Sequence, residues 1–177
     1  MKKKYTISVF TENKIGLLHR ITTVFTRRHI NIESLTVSES EEKGVHRYII
    51  VIEESRDKIE KVVKQIEKQV EVLKAFYHTD QETVFQEIAL YKVHINTIHN
   101  GTSLEEIIRR NYARILAVES DFMIIEKTGH ESETLDLLEK LRPFGLLEFV
   151  RSGRISITKP MKQFSEYLKE MENAVAL

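Results

Sequence analysis

Apolar and polar side chains alternate over residues 4–10, a stretch rich in β-branched and aromatic types, which is the pattern of a strand. Beyond Gly16 the period changes, and Leu17, Leu18, Ile21, Val24 and Phe25 recur at helical spacing. Residues 30–38 alternate again, with Asn31 opening the strand. A polar turn at 39–44 ends on Gly44 and leads into a strand over 45–52, so these two strands are expected to form an antiparallel hairpin. Ile59, Val62, Val63 and Ile66 then mark one face of a helix over 56–68, with Ser55 as its N-cap. Residues 70–78 return to strand character. The order β-α-β-β-α-β is the split βαβ of a ferredoxin-like sandwich.

After a short polar joint at 80–82 the pattern starts again. It predicts a long strand over 84–97 and a short helix over 104–111 opened by Thr102 or Ser103. A hairpin follows, with strands 113–119 and 122–127 around Ser120 and Asp121. A helix over 131–141 is stopped by Pro143, a strand runs over 144–151, and residues 154–158 offer one more. The expected architecture is α+β, with two ferredoxin-like βαββαβ domains at 1–79 and 80–160. Past Pro160, an amphipathic helix over 161–177 carries Phe164, Leu168, Met171 and Val175 at steps of three or four. Its apolar stripe is expected either to pack on its own domain or to dock on a partner.

Composition narrows the function. The 177 residues are 41% hydrophobic and 31% charged, a balance that excludes a disordered chain. No apolar run approaches the roughly 18 residues that a membrane-spanning helix needs. The Met-Lys-Lys-Lys start leads into a short alternating segment instead of an apolar core, so no signal peptide is expected. With no cysteine there are no disulfides, thiolate nucleophiles or cysteine metal sites, which fits a cytoplasmic protein. A formal net charge of zero argues against nucleic-acid binding by bulk electrostatics. That balance hides a split, because residues 1–79 carry 15 basic and 11 acidic side chains and the remainder 12 and 16.

Local chemistry concentrates at the first strand-to-helix corner, where Asn13 and Gly16 stand. A helix's first turn presents N–H groups without intrahelical partners and favours a negative group. Glycine there admits close approach of a small ligand, and the Asn13 amide offers both donor and acceptor to a zwitterion such as a free amino acid. The plainer reading is that Asn13 caps the helix and Gly16 makes a tight turn.

No catalytic constellation accompanies this corner. There is no G-x-S-x-G, Walker A, G-x-G-x-x-G, H-E-x-x-H or EF-hand loop. The nearest histidine pair, His94 and His99, has a spacing that puts the two on opposite faces of a strand. Glu41 with Glu42, and Glu53 with Glu54, are adjacent pairs whose side chains diverge, so paired acid–base carboxylates are not supported. An RNA-recognition module would stack bases on strand aromatics such as Tyr5, Phe10 and Tyr48, but its R-G-F-G-F-type run is missing.

Asn13, Gly16, Leu18 and Arg20 fit an N-x-x-G-x-L-x-R pattern, and Asn31-Ile-Glu-Ser-Leu-Thr-Val37 follows about ten residues on. Together with Glu87-Ile-Ala-Leu-Tyr-Lys-Val93 and Glu148-Phe-Val-Arg-Ser-Gly153, these segments resemble the regulatory small subunit of acetohydroxyacid (acetolactate) synthase. The resemblance implies an N-terminal ACT domain that senses amino acids, dimerises, and holds its ligand at the dimer interface. It implies a non-catalytic chain without cofactors of its own, thiamine diphosphate, Mg and FAD being expected on the large catalytic subunit. The chain would activate that subunit and convey feedback inhibition by valine or a related branched-chain amino acid. By matching position, Asn13 and Gly16 would bind the ligand's polar end with backbone help around Lys14. Ile15, Leu17 and Leu18 would shape its apolar surroundings, and Asn31 and Ile32 would contribute across the interface. His19 departs from the small or polar residue usual after Leu18 and is bulky enough to alter the pocket. The alternative is a stand-alone amino-acid-responsive ACT protein acting on another partner.

Overall fold

The computed structural model describes residues 2–95, 103–159 and 166. The helix expected over 161–177, the cap candidate Thr102 and the end of the strand expected to reach 97 lie outside the described residues. The chain divides into two bodies, one of residues 2–85 with 154–159 and the other Gln86–Gly153.

In the first body β1 (Lys3–Glu12) is followed by α1 (Leu17–Thr26), β2 (Ser34–Glu39), β3 (Val45–Glu54), α2 (Arg56–Glu67) and β4 (Val72–Thr79). The sheet order is β2-β3-β1-β4, antiparallel at each contact, which is the ferredoxin-like arrangement. Strand alternation puts Ile7, Val9, Ile50 and Ile52 on the face beneath the helices. Leu17, Ile21 and Phe25 of α1, with Ile59, Val62 and Ile66 of α2, close that face into one core. Tyr5 and Tyr48 are buried in it, and Phe10 is only 3% exposed, so none of the three offers a platform for a base.

β2 starts four residues later than the alternation over 30–38 suggests. α1 ends at Thr26, His29 takes a positive φ of 54°, and Ile30 donates its N–H back to Phe25 O at 3.0 Å. Residues 30–33 are used in crossing from the helix layer to the sheet edge. Ladder pairing with β3 therefore begins at Ser34, opposite Val51, and Asn31 lies ahead of the strand, not in it.

β1 is buried on both faces. Thr6, Ser8 and Phe10, on the side away from the helices, are buried too, and Arg154, a residue of the same body that returns late in the chain, lies on Thr6. Arg47 sits 5.3 Å from the Phe10 ring centroid and donates through Nη2 to Ser156 O at 2.8 Å. Ser156 belongs to β9 (Ile155–Thr158), the short strand expected at 154–158. β9 pairs with β5 (Thr83–His94), whose residues 83–85 belong to this body.

The second body takes the rest of β5, then α3 (Leu104–Arg110), β6 (Arg114–Val118), β7 (Phe122–Gly129), α4 (Glu131–Leu141) and β8 (Leu146–Arg151). Its strands lie in the order β6-β7-β5-β8. Ser103 caps α3, its Oγ accepting the Glu106 N–H at 3.2 Å. Ala89, Tyr91, Val93 and Ile125 face Leu137 and Leu141 of α4, and the buried Tyr91 hydroxyl donates to Thr134 O at 2.7 Å. α4 gives way at Pro143 to a single 3-10 turn over Arg142–Phe144, after which Gly145, at φ +74°, starts the chain toward β8.

Candidate functional site

The corner between β1 and α1 is open. Gly16 is the N-cap residue of α1, with φ +84° and ψ −8°, a left-handed conformation that a side chain would strain. A Cβ there would meet nothing within 4 Å, so the space above it is free for another molecule. No side chain caps the helix. Asn13 instead donates its backbone N–H to Gly44 O at 3.1 Å, and its amide side chain stands exposed with no hydrogen bond among the described residues.

Two further hydrogen bonds fold the loop without using up its donors. Lys14 N–H donates to Glu12 O at 3.1 Å, and Leu17 N–H to Lys14 O at 3.4 Å. The first intrahelical bond is Arg20 N–H to Gly16 O at 3.2 Å. The N–H groups of Ile15, Gly16, Leu18 and His19 find no acceptor among the described residues. They form a cluster of donors at the positive end of a ten-residue helix that has no acidic residue in its first turn. A carboxylate is the group such a cluster suits.

Apolar side chains flank the donors. Ile15 is fully exposed and Leu18 45% exposed, one on each side of Gly16. Leu17 differs from both: it is completely buried and packs in the core beneath the corner, so its side chain supports the site from within. Lys14 is held at 2.8 Å from Glu12, whose hydrogen bond and charge raise its pKa above the ordinary value.

Two bracing contacts come from far along the chain. Glu12 N–H donates to Glu71 O at 3.0 Å, and Arg20 Nη2 reaches Glu71 Oε2 at 2.6 Å. The Arg20 guanidinium beside it holds the Glu71 carboxyl below its ordinary pKa despite partial burial. Together with Gly44 O, Glu71 fixes the corner to the ends of β3 and β4. Neither residue carries a local signal in the sequence, because both act through strand pairing. His19 is exposed and lines a concavity between α1 and α2 with Arg20, Thr23, Arg27, Gln65 and Gln69.

Asn31 is exposed and Ile32 half-buried against the core. They are not beside Asn13. Ser34 is opposite Val51, and Val51 is opposite Thr6, so residues 31 and 32 lie level with the start of β1. Asn13 lies past its other end, roughly 30 Å along the strand direction. Within one chain the two segments are at opposite ends of the sheet.

Among the described residues no group of three or more His, Asp or Glu side chains could hold a metal ion, and no helix is long and apolar enough to cross a membrane.

A split βαβ sheet under two helices, with an uncapped glycine corner after its first strand, is the ferredoxin-like architecture. Residues 7–74 match the family model described as the AHAS small subunit-like ACT domain, so the first body is an ACT domain. Residues 86–160 match the model described as the small subunit of acetolactate synthase. The acetolactate synthase small subunit of Bacillus subtilis (strain 168) is 36% identical over 164 residues, 92% of this chain and 94% of that protein. That of Aquifex aeolicus (strain VF5) is 33% identical over 171 residues, 97% of this chain and 86% of the other. The crystal structure of the Thermotoga maritima acetolactate synthase small subunit superposes with a TM-score of 0.81 at 28% identity, covering 90% of this chain and 99% of that one. The chain belongs to the acetolactate synthase small-subunit family. As a small, regulatory subunit it is not the catalytic chain, and its family membership implies a catalytic large subunit as partner.

Proposed function

We propose that the β1–α1 corner binds a branched-chain amino acid such as valine, and that the chain uses this binding to set the activity of the large subunit. The ligand's carboxylate lies on the free N–H groups of Ile15, Gly16, Leu18 and His19. The Asn13 amide meets its polar end, and Ile15 and Leu18 enclose its aliphatic side chain. Asn31 and Ile32 of a second copy complete the pocket across an ACT dimer, since one chain keeps them at the far end of the sheet. The ligand then favours one dimer arrangement. Activation of the large subunit and its feedback inhibition follow from how that arrangement docks on it, with the thiamine diphosphate, Mg and FAD all on the large subunit. Ligand and large subunit must then be reciprocally coupled, typically by about 1–3 kcal/mol.

The observation that carries this reading is the coincidence at one corner of unpaired N–H donors, an unpartnered amide and two exposed aliphatic side chains around an open glycine. Calorimetric titration of the purified chain with valine, leucine and isoleucine tests it, alongside Asn13→Ala. Saturable binding of one of the three that the variant loses is the expected result. Binding of equal strength in Asn13→Ala would remove the corner from consideration.

A further inference from the structure

The outer face of α1 and α2 is mainly basic. Beside the concavity lined by His19, Arg20 and Arg27 lies a second, of about 270 Å³, lined by Arg28, Lys61, Lys64, Gln65 and Lys68. Gln65 belongs to both, and no carboxylate lines either. Arg27, Lys61, Lys64 and Lys68 are exposed and make no ion pair among the described residues. Arg28 is already positioned, because its Nε and Nη2 both donate to Gln65 Oε1, at 3.0 and 2.8 Å.

Of the acidic side chains of α2, Asp57 stands exposed one turn before Lys61, while Glu60 and Glu67 are engaged toward β4. Glu60 accepts from Arg56 at 3.0 Å and from the Tyr77 hydroxyl at 3.1 Å. Glu67 pairs with Lys74 at 3.1 Å. Tyr77 and Lys74 are on β4, so Glu60 and Glu67 are held toward that strand, although Lys64 also acts on the Glu60 charge. Lys61, Lys64 and Lys68 follow one another at steps of three and four. Asp57 can offset only the first part of this row, since like charges at i, i+4 repel weakly and opposite ones attract.

We infer that this α1–α2 face docks an acidic, convex segment of the large subunit. The inference rests on the proposed regulatory partnership and names the surface through which it acts. A protein surface fits better than a compact anion. The cations extend over about two turns of α2, roughly 10 Å, and most are flexible lysine ammonium groups instead of a convergent cage. Such a surface steers encounter, so its mark is on the association rate and its salt dependence.

The test is stopped-flow or surface-resonance association of the full chain with its large subunit at several ionic strengths. It compares the parent with Lys61→Glu/Lys64→Glu/Lys68→Glu and with the neutral triple-glutamine variant. Expected is an association rate at least tenfold lower for the glutamate variant, intermediate for glutamine, and a flatter salt dependence in both. Amino-acid binding by the isolated variants should match the parent, because the corner is untouched. If the parent associates and the variants follow it at every ionic strength, this surface is wrong and the partnership stands. If the parent itself does not associate, the partnership fails and the surface with it. Saturable binding of inorganic tripolyphosphate that the variants lose, with association unchanged, would make the face a small-anion site and overturn the assignment.

Discussion

Arg154 donates through Nη1 to Asp80 Oδ1 at 2.7 Å, joining two residues 74 positions apart. The same nitrogen reaches Thr6 Oγ1 at 3.1 Å, and the guanidinium carbon lies 3.5 Å from the Phe85 ring centroid. The Arg154 side chain is 4% exposed, whereas Asp80 keeps 43% of its surface in water. The arginine therefore holds the late segment against β1 by a hydrogen bond, an ion pair and a ring contact at once.

Removing it leaves Thr6 without its donor and Asp80 without its cation. Breaking a fully buried pair typically costs about 3–5 kcal/mol, but Asp80 can rehydrate, so Arg154→Ala is expected to lose roughly 2–3 kcal/mol. Arg154→Lys keeps the charge but gives up the planar group that both stacks and donates, and should recover less than half of that loss. Urea denaturation of the three proteins measures the differences. A loss under about 0.5 kcal/mol for alanine would mean that water replaces the arginine there without penalty.

Gly16 separates a backbone requirement from a ligand requirement. Its φ of +84° costs a side chain roughly 1 kcal/mol, and the space above it is empty. Gly16→Ala should therefore lower stability by about that amount without a clash. Gly16→Asp adds a carboxylate where the ligand's own carboxylate is proposed to lie. It should abolish feedback inhibition of the reconstituted enzyme while leaving activation largely intact. Inhibition curves for valine with parent and variant decide the matter, and a variant as sensitive as the parent would place the effector elsewhere.

Periodicity reads the layers of this protein well because each helix and strand has one face on a core. α4 has the bounds its spacing predicts, 131–141, since a capping histidine and Pro143 delimit it locally. The turn at Gly16 is legible for the same reason, since a glycine between a strand pattern and a helix pattern marks the corner locally. The late start of β2 is not, because alternation at Ile30 and Ile32 reflects a chain crossing a hydrophobic edge and not a ladder. Nor does any pattern announce that Thr6 and Ser8 are buried. Their cover comes partly from Arg154, 148 residues from Thr6. Glu71 and Gly44 brace the corner through the same kind of distant pairing.

Glu54 sets an acid limit on the ACT domain. Its carboxylate accepts the Ser55 N–H at 3.0 Å, Lys58 Nζ at 3.0 Å and Lys2 Nζ at 3.1 Å. The backbone hydrogen bond from Ser55, then those from Lys58 and Lys2, outweigh burial and lower its pKa from the ordinary 4.5 to about 2. Between those values the unfolded chain binds a proton that the folded chain refuses. The contribution is therefore complete above pH 4.5 and is lost as the pH falls toward 2. Glu60, Glu71, Glu82 and Glu126 are shifted in the same direction, so the whole protein should weaken over this window. Glu54→Gln isolates one share, because glutamine keeps an acceptor for Ser55 but does not titrate. Urea midpoints measured at intervals from pH 6 to pH 2.5 should fall less steeply for the variant, with the two proteins converging at the acid end. Parallel curves would show that Glu54 takes up its proton at the same pH folded and unfolded, and that its three donors do not hold it.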